Sequence, residues 1–470
     1  MNLKFQPIEI YTDDPFENDL LDRENEVKNL SVLLKNLNSP AVLAINSRWG
    51  TGKTTFIKMW ESYLKGIGAQ SLYFNAWETD FSEEPLVSFL GEMNEGLESL
   101  IGTSEKSRDA WKKTKDIGKK IAKRAIPVAV KLTTQGIVDL DKSIEDELAE
   151  TTSLIAGDAF EDYTKAKNSI KEFHNSLTKL IKESSEGNPV IFFIDELDRC
   201  RPTYAIKLLE RIKHLFNING LIFVLAIDKK QLGHSISSIY GGGIDSAGYL
   251  RRFIDFEYEI KQPDKETYIR SLFSSLSMDD YFKKREKYRD LVNDKGHLLK
   301  AFSLLCECHQ FSLREIEQML ASINLALRSA AENEYIHPAL LAFLVVTKNV
   351  DPEEYQRYIS NSEKETETIN YLYSIIPEKR RLEDFECARI EGFLIAAKYG
   401  RYSEGANESL VRHKEITENE ELSRKMREYS RRVLLVASDP VGMGRTIDLE
   451  CLVARIEMLS QFKFSDEKEG

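Results

Sequence analysis

Residues 41–60 read AVLAINSRWGTGKTTFIKMW, and their order decides the fold. Ala41–Ile45 is a short apolar run with the length and flanks of a buried parallel strand. It opens into a loop, Ser47–Thr54, and helical character begins at Lys53. Strand, loop and helix in that order are the setting that a phosphate-binding loop requires. Gly50 and Gly52 let backbone amides approach an anion with no side chain in the way. The helix N-terminus adds unpaired amides and a partial positive charge. Lys53 has the reach for β- and γ-phosphates, and the Thr54 hydroxyl is placed to ligate Mg²⁺. Ser47, Arg48, Trp49, Thr51 and Thr55 complete the candidate cradle. The usual pattern is G-x-x-x-x-G-K-[ST], and Ser47 stands at its first glycine. Either that position needs no positive φ here, or the turn is strained.

A second stretch, VIFFIDELDR (Val190–Arg199), is an apolar run that ends in adjacent carboxylates. A buried strand of this kind beside the phosphate loop puts Asp195 on the Mg²⁺ shell. Glu196 then stands where it can accept a proton from an attacking water. A third apolar run, LIFVLAI (Leu221–Ile227), ends at Asp228. Between these two runs Ile206, Leu209, Ile212 and Leu215 repeat on one helical face, so the unit reads as a right-handed parallel crossover. Asp228 is either a residue that senses the γ-phosphate or the N-cap of a helix from Lys229, and the two roles are compatible.

Three motifs together, S-R-W-G-T-G-K-T (Ser47–Thr54), F-N-A-W (Phe74–Trp77) and I-D-E-L-D-R-C (Ile194–Cys200), resemble the KAP P-loop NTPases. The resemblance runs from about Asp19 to roughly Tyr358. It implies an ATPase core with an ASCE-type parallel sheet and an all-helical C-terminal region. Carried onto this chain, it gives Lys53 and Thr54 to phosphate and Mg²⁺, Asp195 to the metal and Glu196 to catalysis. Relatives more often have a second aspartate where Glu196 stands, and glutamate has the longer reach. Asp19–Arg23 resembles the stretch that packs near adenine in related ATPases. Tyr249–Arg252 matches a family stretch in which Arg251 or Arg252 could stabilise transition-state charge, in cis or across a subunit interface. The alternative is a pair of surface arginines. Arg314, in the first turn of a helix capped by Ser312 and Glu315, matches the phosphate-sensing arginine of a helical lid. The alternative there is an ordinary surface ion pair.

Many relatives carry transmembrane helices between the two nucleotide motifs, and here residues 92–187 hold none. Glu105–Arg124 instead has nine Lys or Arg against three acids. A short apolar piece, Ala125–Leu132, and an acidic block, Asp139–Asp162, follow. The basic stretch is either a surface for lipid, nucleic acid or an acidic partner, or a solvated face neutralised by the acidic block. Cys306, Cys308 and His309 invite a metal reading, but residues two apart on a helix point about 200° from each other, so core cysteines are expected.

The domain organisation that follows is an ATPase core over 1–262 with a helical insertion at about 92–187, a lid-like subdomain over 263–358 and a helical region over 359–470. The net charge of −12 argues against wrapping a duplex with the whole surface. Five irregularly spaced cysteines, no leader pattern and no long apolar run predict a cytoplasmic chain without integral membrane contact. The resemblance implies an ATP-hydrolysing component of a bacterial antiphage or stress system, working as a homo-oligomer beside a separate effector. The competing functions are a nucleotide-gated scaffold with little turnover and a nucleic-acid-stimulated ATPase.

Overall fold

The apolar runs pair into one parallel sheet. Its strands are β1 (Ala41–Asn46), β2 (Ser71–Asn75), β3 (Val190–Asp195), β4 (Leu221–Ile227) and β5 (Phe256–Glu259), in the order β2-β3-β4-β1-β5. In the computed structural model the described residues are 8–37, 39–101, 105–132, 155–184, 188–261, 264–360, 365–399, 407–438 and 447–457. They divide into two compact units, residues 8–262 and residues 263–470.

A parallel sheet must be covered on both faces, and successive side chains along each strand supply the two faces in turn. Val42, Ala44, Phe192, Ile194, Phe223 and Leu225 face one core. Leu43, Ile45, Ile191, Phe193, Ile222 and Val224 face the other. The second core is closed by α1 (Glu24–Lys35) and α2 (Lys53–Gly66), whose Trp60 is fully buried against Phe193. The first is closed by α3 (Pro85–Ile101), α4 (Glu105–Leu132), α5 (Ile155–Ser184) and α6 (Pro202–Leu215). This is the ASCE-type sheet expected from the resemblance, with β4 standing between the phosphate-loop strand β1 and the acidic strand β3. The register keeps the ends level, Asn46 beside Ile227 and Asp195 beside Ala226. In YLRRFIDFEYEI (Tyr249–Ile260) the alternation from Phe253 predicts the last strand of the sheet, and the strand observed, Phe256–Glu259, is shorter. Phe253 is buried among the helices, and pairing begins where Asp255 exchanges hydrogen bonds with Val42.

The insertion is helical and rooted in the core. Trp111, Ile117 and Ile121 of α4 and Phe173, Leu177 and Ile181 of α5 join the first cluster. Gly118 allows this approach, since a Cβ there would meet Leu90 at 2.3 Å and Phe173 at 3.3 Å. Lys112, Lys113, Lys119 and Lys120 are exposed on the other face of α4. The segment Ala125–Leu132 continues α4, but its side chains lie outside the described set. The acidic block Asp139–Asp162 also falls outside the residues whose side chains are described. The neutralised reading of the basic stretch therefore lies outside the described residues.

The second unit is helical throughout its described residues. Its helix Pro338–Val350 is buried on every side from Pro338 to Thr347, as an apolar helix at the centre of a domain must be. Cys306 is fully buried and Cys308 half-buried, and no metal-binding group of His, Cys, Asp or Glu occurs among the described residues.

Candidate active site

In a parallel sheet the ligand site lies beyond the carboxyl ends of the strands. Here those ends are Asn75, Asp195, Ile227 and Asn46. The loop after β1 turns through Gly50 (φ 75°) and Gly52 (φ 85°), conformations in which glycine has no steric cost. Ser47 is not among the residues with positive φ, so the missing first glycine leaves no strain. Instead the Ser47 amide donates to the Ile227 carbonyl at 3.1 Å, and its hydroxyl accepts from Thr51 at 2.7 Å. The Arg48 carbonyl, 2.8 Å from the Thr51 hydroxyl, shares that single proton. Lys53, nearly buried at the start of α2, donates to the carbonyls of Ser47 (2.6 Å) and Arg48 (3.2 Å). Burial pushes its ammonium pKa down, while the carboxylates of Asp198, Asp228 and Asp195 hold it up.

The acidic turn faces this loop. Asp195 is 1% exposed and accepts from the Tyr73 hydroxyl at 3.1 Å and from the Glu196 amide at 2.8 Å. Glu196 has left-handed backbone (φ 59°, ψ 22°) and opens a single turn, Leu197–Arg199. Its carboxylate receives Arg199 Nη1 at 2.5 Å and Asn75 Nδ2 at 3.4 Å. Burial is the largest influence on this carboxyl and raises its pKa, Arg199 opposes that, and Asp195 reinforces it. A cleft of about 90 Å³ is lined by Trp49, Gly50, Gly52, Lys53 and Thr54 from the loop and by Asp195, Glu196, Asp198 and Arg199 from the turn.

Other residues fall differently. Arg48 is exposed, and Thr55 is half-buried in the first turn of α2. Asp228 is the N-cap of α7 (Lys229–Tyr240) and accepts from the amides of Lys230 and Gln231. Arg251 and Arg252 are exposed at the end of α8 (Ser246–Leu250), and Arg251 pairs with Asp245 at 3.4 Å. Neither lines the cleft. The parallel pairing of β5 with β1 begins at Leu43 and Phe256, so both arginines precede the amino end of the sheet, opposite the phosphate loop. Arg314 is exposed in the first turn of Leu313–Arg328 in the second unit, behind the capping box of Ser312 and Glu315. Among the described residues it has no ion pair. Asp19 caps the turn before α1 by accepting from the amides of Leu21 (3.1 Å) and Glu24 (3.1 Å).

Sequence reasoning missed Asp198, Tyr73, Asn75 and Arg199 as parts of the site. The available signal was the F-N-A-W motif, whose Asn75 stands beside Asp195 in the β2–β3 register.

The donor set can be tested against ATP·Mg²⁺. Lys53 and the loop amides offer positive charge and donors to a polyphosphate. Thr54 and Asp195 offer few hard oxygens, which suits Mg²⁺, a metal that keeps waters and phosphate oxygens as its remaining ligands. The residues fit both groups.

Among the described residues no helix is long and apolar enough to cross a membrane. No curated protein matches the chain. Among solved structures it is similar to a DNA replication initiation factor, at 13% identity over 89% of this chain and 93% of that one, with a TM-score of 0.29. It is also similar to the Aeropyrum pernix ORC2 protein in ADPNP–ADP complexes, at 13% identity over 94% and 95%, with a TM-score of 0.31. The model of the KAP family P-loop domain matches residues 23–330, the span that holds the phosphate loop, the acidic turn and the whole sheet. The chain belongs to the KAP family of P-loop NTPases.

Proposed function

We propose that the chain binds ATP with Mg²⁺ in this cleft and hydrolyses it, with Glu196 as the general base. The observation that carries the proposal is a half-buried carboxylate with raised pKa, held by Asn75 and Arg199 in the cleft that Lys53 also lines. Lys53 leaves the Ser47 and Arg48 carbonyls for phosphate oxygens, and the loop amides orient the chain of phosphates. Thr54 and Asp195 would hold Mg²⁺, which would supply charge neutralisation for the phosphates. A water ordered by Glu196 gives its proton to a carboxylate oxygen as it attacks the γ-phosphorus, and the bond from that phosphorus to the β–γ bridging oxygen breaks so that ADP leaves. Lys53→Ala is expected to weaken nucleotide binding. Glu196→Gln is expected to keep binding while turnover falls by roughly 10²–10⁴. A phosphate-release assay with a nucleotide-binding control decides this, and normal turnover in Glu196→Gln moves the base elsewhere.

The proposal extends to assembly. Arg252, or Arg251 beside it, completes the site of a neighbouring copy, and its position at the far end of the sheet supports a role in trans over one in cis. Asp228, directly after β4, senses the γ-phosphate. Family resemblance supports an ATPase component of a bacterial antiphage or stress system in the cytoplasm, acting beside a separate effector.

A further inference from the structure

Asp198 plays no part in the chemistry above, yet it is buried (5% exposed) at the meeting point of three elements. The left-handed backbone of Glu196 turns the chain so that this carboxylate points back at the phosphate loop. A single oxygen, Oδ2, accepts the indole N–H of Trp49 at 2.6 Å and the backbone N–H of Asp228 at 2.7 Å. Lys53 Nζ lies 4.0 Å from the same oxygen. One carboxylate thus ties the loop after β1, the turn after β3 and the end of β4.

We propose that Asp198 is a positioning residue for the phosphate loop: it anchors the loop through Trp49 and keeps Lys53 beside the cleft, ready for an incoming polyphosphate. The inference rests on the nucleotide-binding reading of the same cleft. Trp49 is 45% exposed, too open for its ring to be held by packing alone, so the indole hydrogen bond is what fixes it. Hydrogen bonds to an ionised acceptor are about twice as strong as neutral ones, and this one has two donors and a nearby ammonium. Burial raises the Asp198 carboxyl, and Lys53 with these donors counters that. The aspartate therefore needs the loop as much as the loop needs the aspartate. Without the anchor, the loop amides and Lys53 must be ordered when the nucleotide binds, and the ordering is charged against affinity.

The test measures equilibrium binding of ATP·Mg²⁺ in a Glu196→Gln background, where the ligand persists, and steady-state kinetics in the otherwise unmodified chain. Trp49→Phe keeps an aromatic ring and removes the N–H together with the five-membered part of the indole. Asp198→Asn keeps the shape and removes the charge, and Asp198→Glu is the conservative rescue. Affinity is expected to fall on the order of tenfold in Trp49→Phe and further in Asp198→Asn. The loss should appear in KM more than in kcat, with partial recovery in Asp198→Glu. Affinity within twofold of the parent in Trp49→Phe, or a loss confined to kcat, overturns the proposal. Trp49→Phe decides alone if Asp198→Asn does not fold. A parent that binds no ATP refutes the nucleotide reading itself, a failure visible before any variant is compared.

Discussion

Glu196 sits between opposing influences, and the balance predicts a pH profile. Burial raises its carboxyl above the ordinary value of 4.5, and Arg199 is the largest influence against that rise. A base must be ionised, so turnover falls as pH drops through this pKa. Removing Arg199 leaves burial and Asp195 less opposed, so Arg199→Ala should move the acid limb of the kcat profile to higher pH. Arg199→Lys should restore most of the shift, and rates across pH 5–9 would show a limb that fails to move. Arg199 also lies over the exposed ring of Trp77, 5.9 Å from its centroid, which limits its freedom to leave. The place of Lys53, Thr54, Asp195 and Glu196 in the cleft was legible in the sequence because each stands at a strand end or at a fixed offset after one. Asp198 and Asn75 were not, because their roles depend on a left-handed turn and on the register of β2 with β3.

Among elements, helices of the second unit are bolted together by one buried carboxylate. Glu391, on Phe385–Tyr399, is fully buried and accepts from Tyr373 of Glu365–Ile375 at 2.5 Å and from Tyr429 of Arg424–Ser438. His413 of Glu408–Glu418 lies 2.9 Å from Glu391 through Nε2 and 3.0 Å from the Ser430 hydroxyl through Nδ1. Burial alone would raise the Glu391 carboxyl, but His413 and the tyrosine hydroxyls together hold it below its ordinary 4.5. A depressed folded pKa means stabilisation that is complete above about pH 4.5 and is lost as pH falls through the folded value. Glu391→Gln should cost roughly 2–4 kcal/mol at neutral pH and flatten the acid side of the stability profile. Denaturant unfolding at several pH values would expose an unchanged profile. This network was invisible in sequence, since its members are separated along the chain and none stands in a motif. The buried strands β1, β3 and β4 were legible as apolar runs. By contrast β5, exposed at three of its four residues, forms no apolar run and was legible only through the alternation from Phe253.

At the scale of the molecule, the sheet separates the phosphate loop from Arg251 and Arg252 by nearly the length of β1. From Val42, beside Asp255, to Ser47 is five residues at about 3.3 Å each, roughly 16 Å. No rotamer of an arginine spans that gap and reaches a γ-phosphate in its own subunit. Arg252→Ala should therefore hydrolyse poorly alone and regain activity when mixed with Lys53→Ala, because each copy supplies what the other lacks. Mixed assemblies that form without any recovery would eliminate the trans-acting arginine. The insertion was legible as helical and basic. Its attachment was not, because the apolar stripe of Trp111, Ile117 and Ile121 is diluted by lysines and is recognised only against α5.

The left-handed backbone at Glu196 has a consequence for how such a chain could change over generations. A β-carbon in that conformation costs about 1 kcal/mol relative to glycine, and the buried carboxyl adds its own desolvation. Glu196→Gly should therefore melt no lower than the parent, and up to about 1 kcal/mol more stably, while losing turnover. A lower melting midpoint would show that the turn depends on the side chain. If the variant is indeed sturdier, then folding alone would favour losing the glutamate. Descendants freed from the need to turn over nucleotide would drift toward stable, inert switches, so keeping the glutamate is the cost that the proposed hydrolysis would impose on the fold.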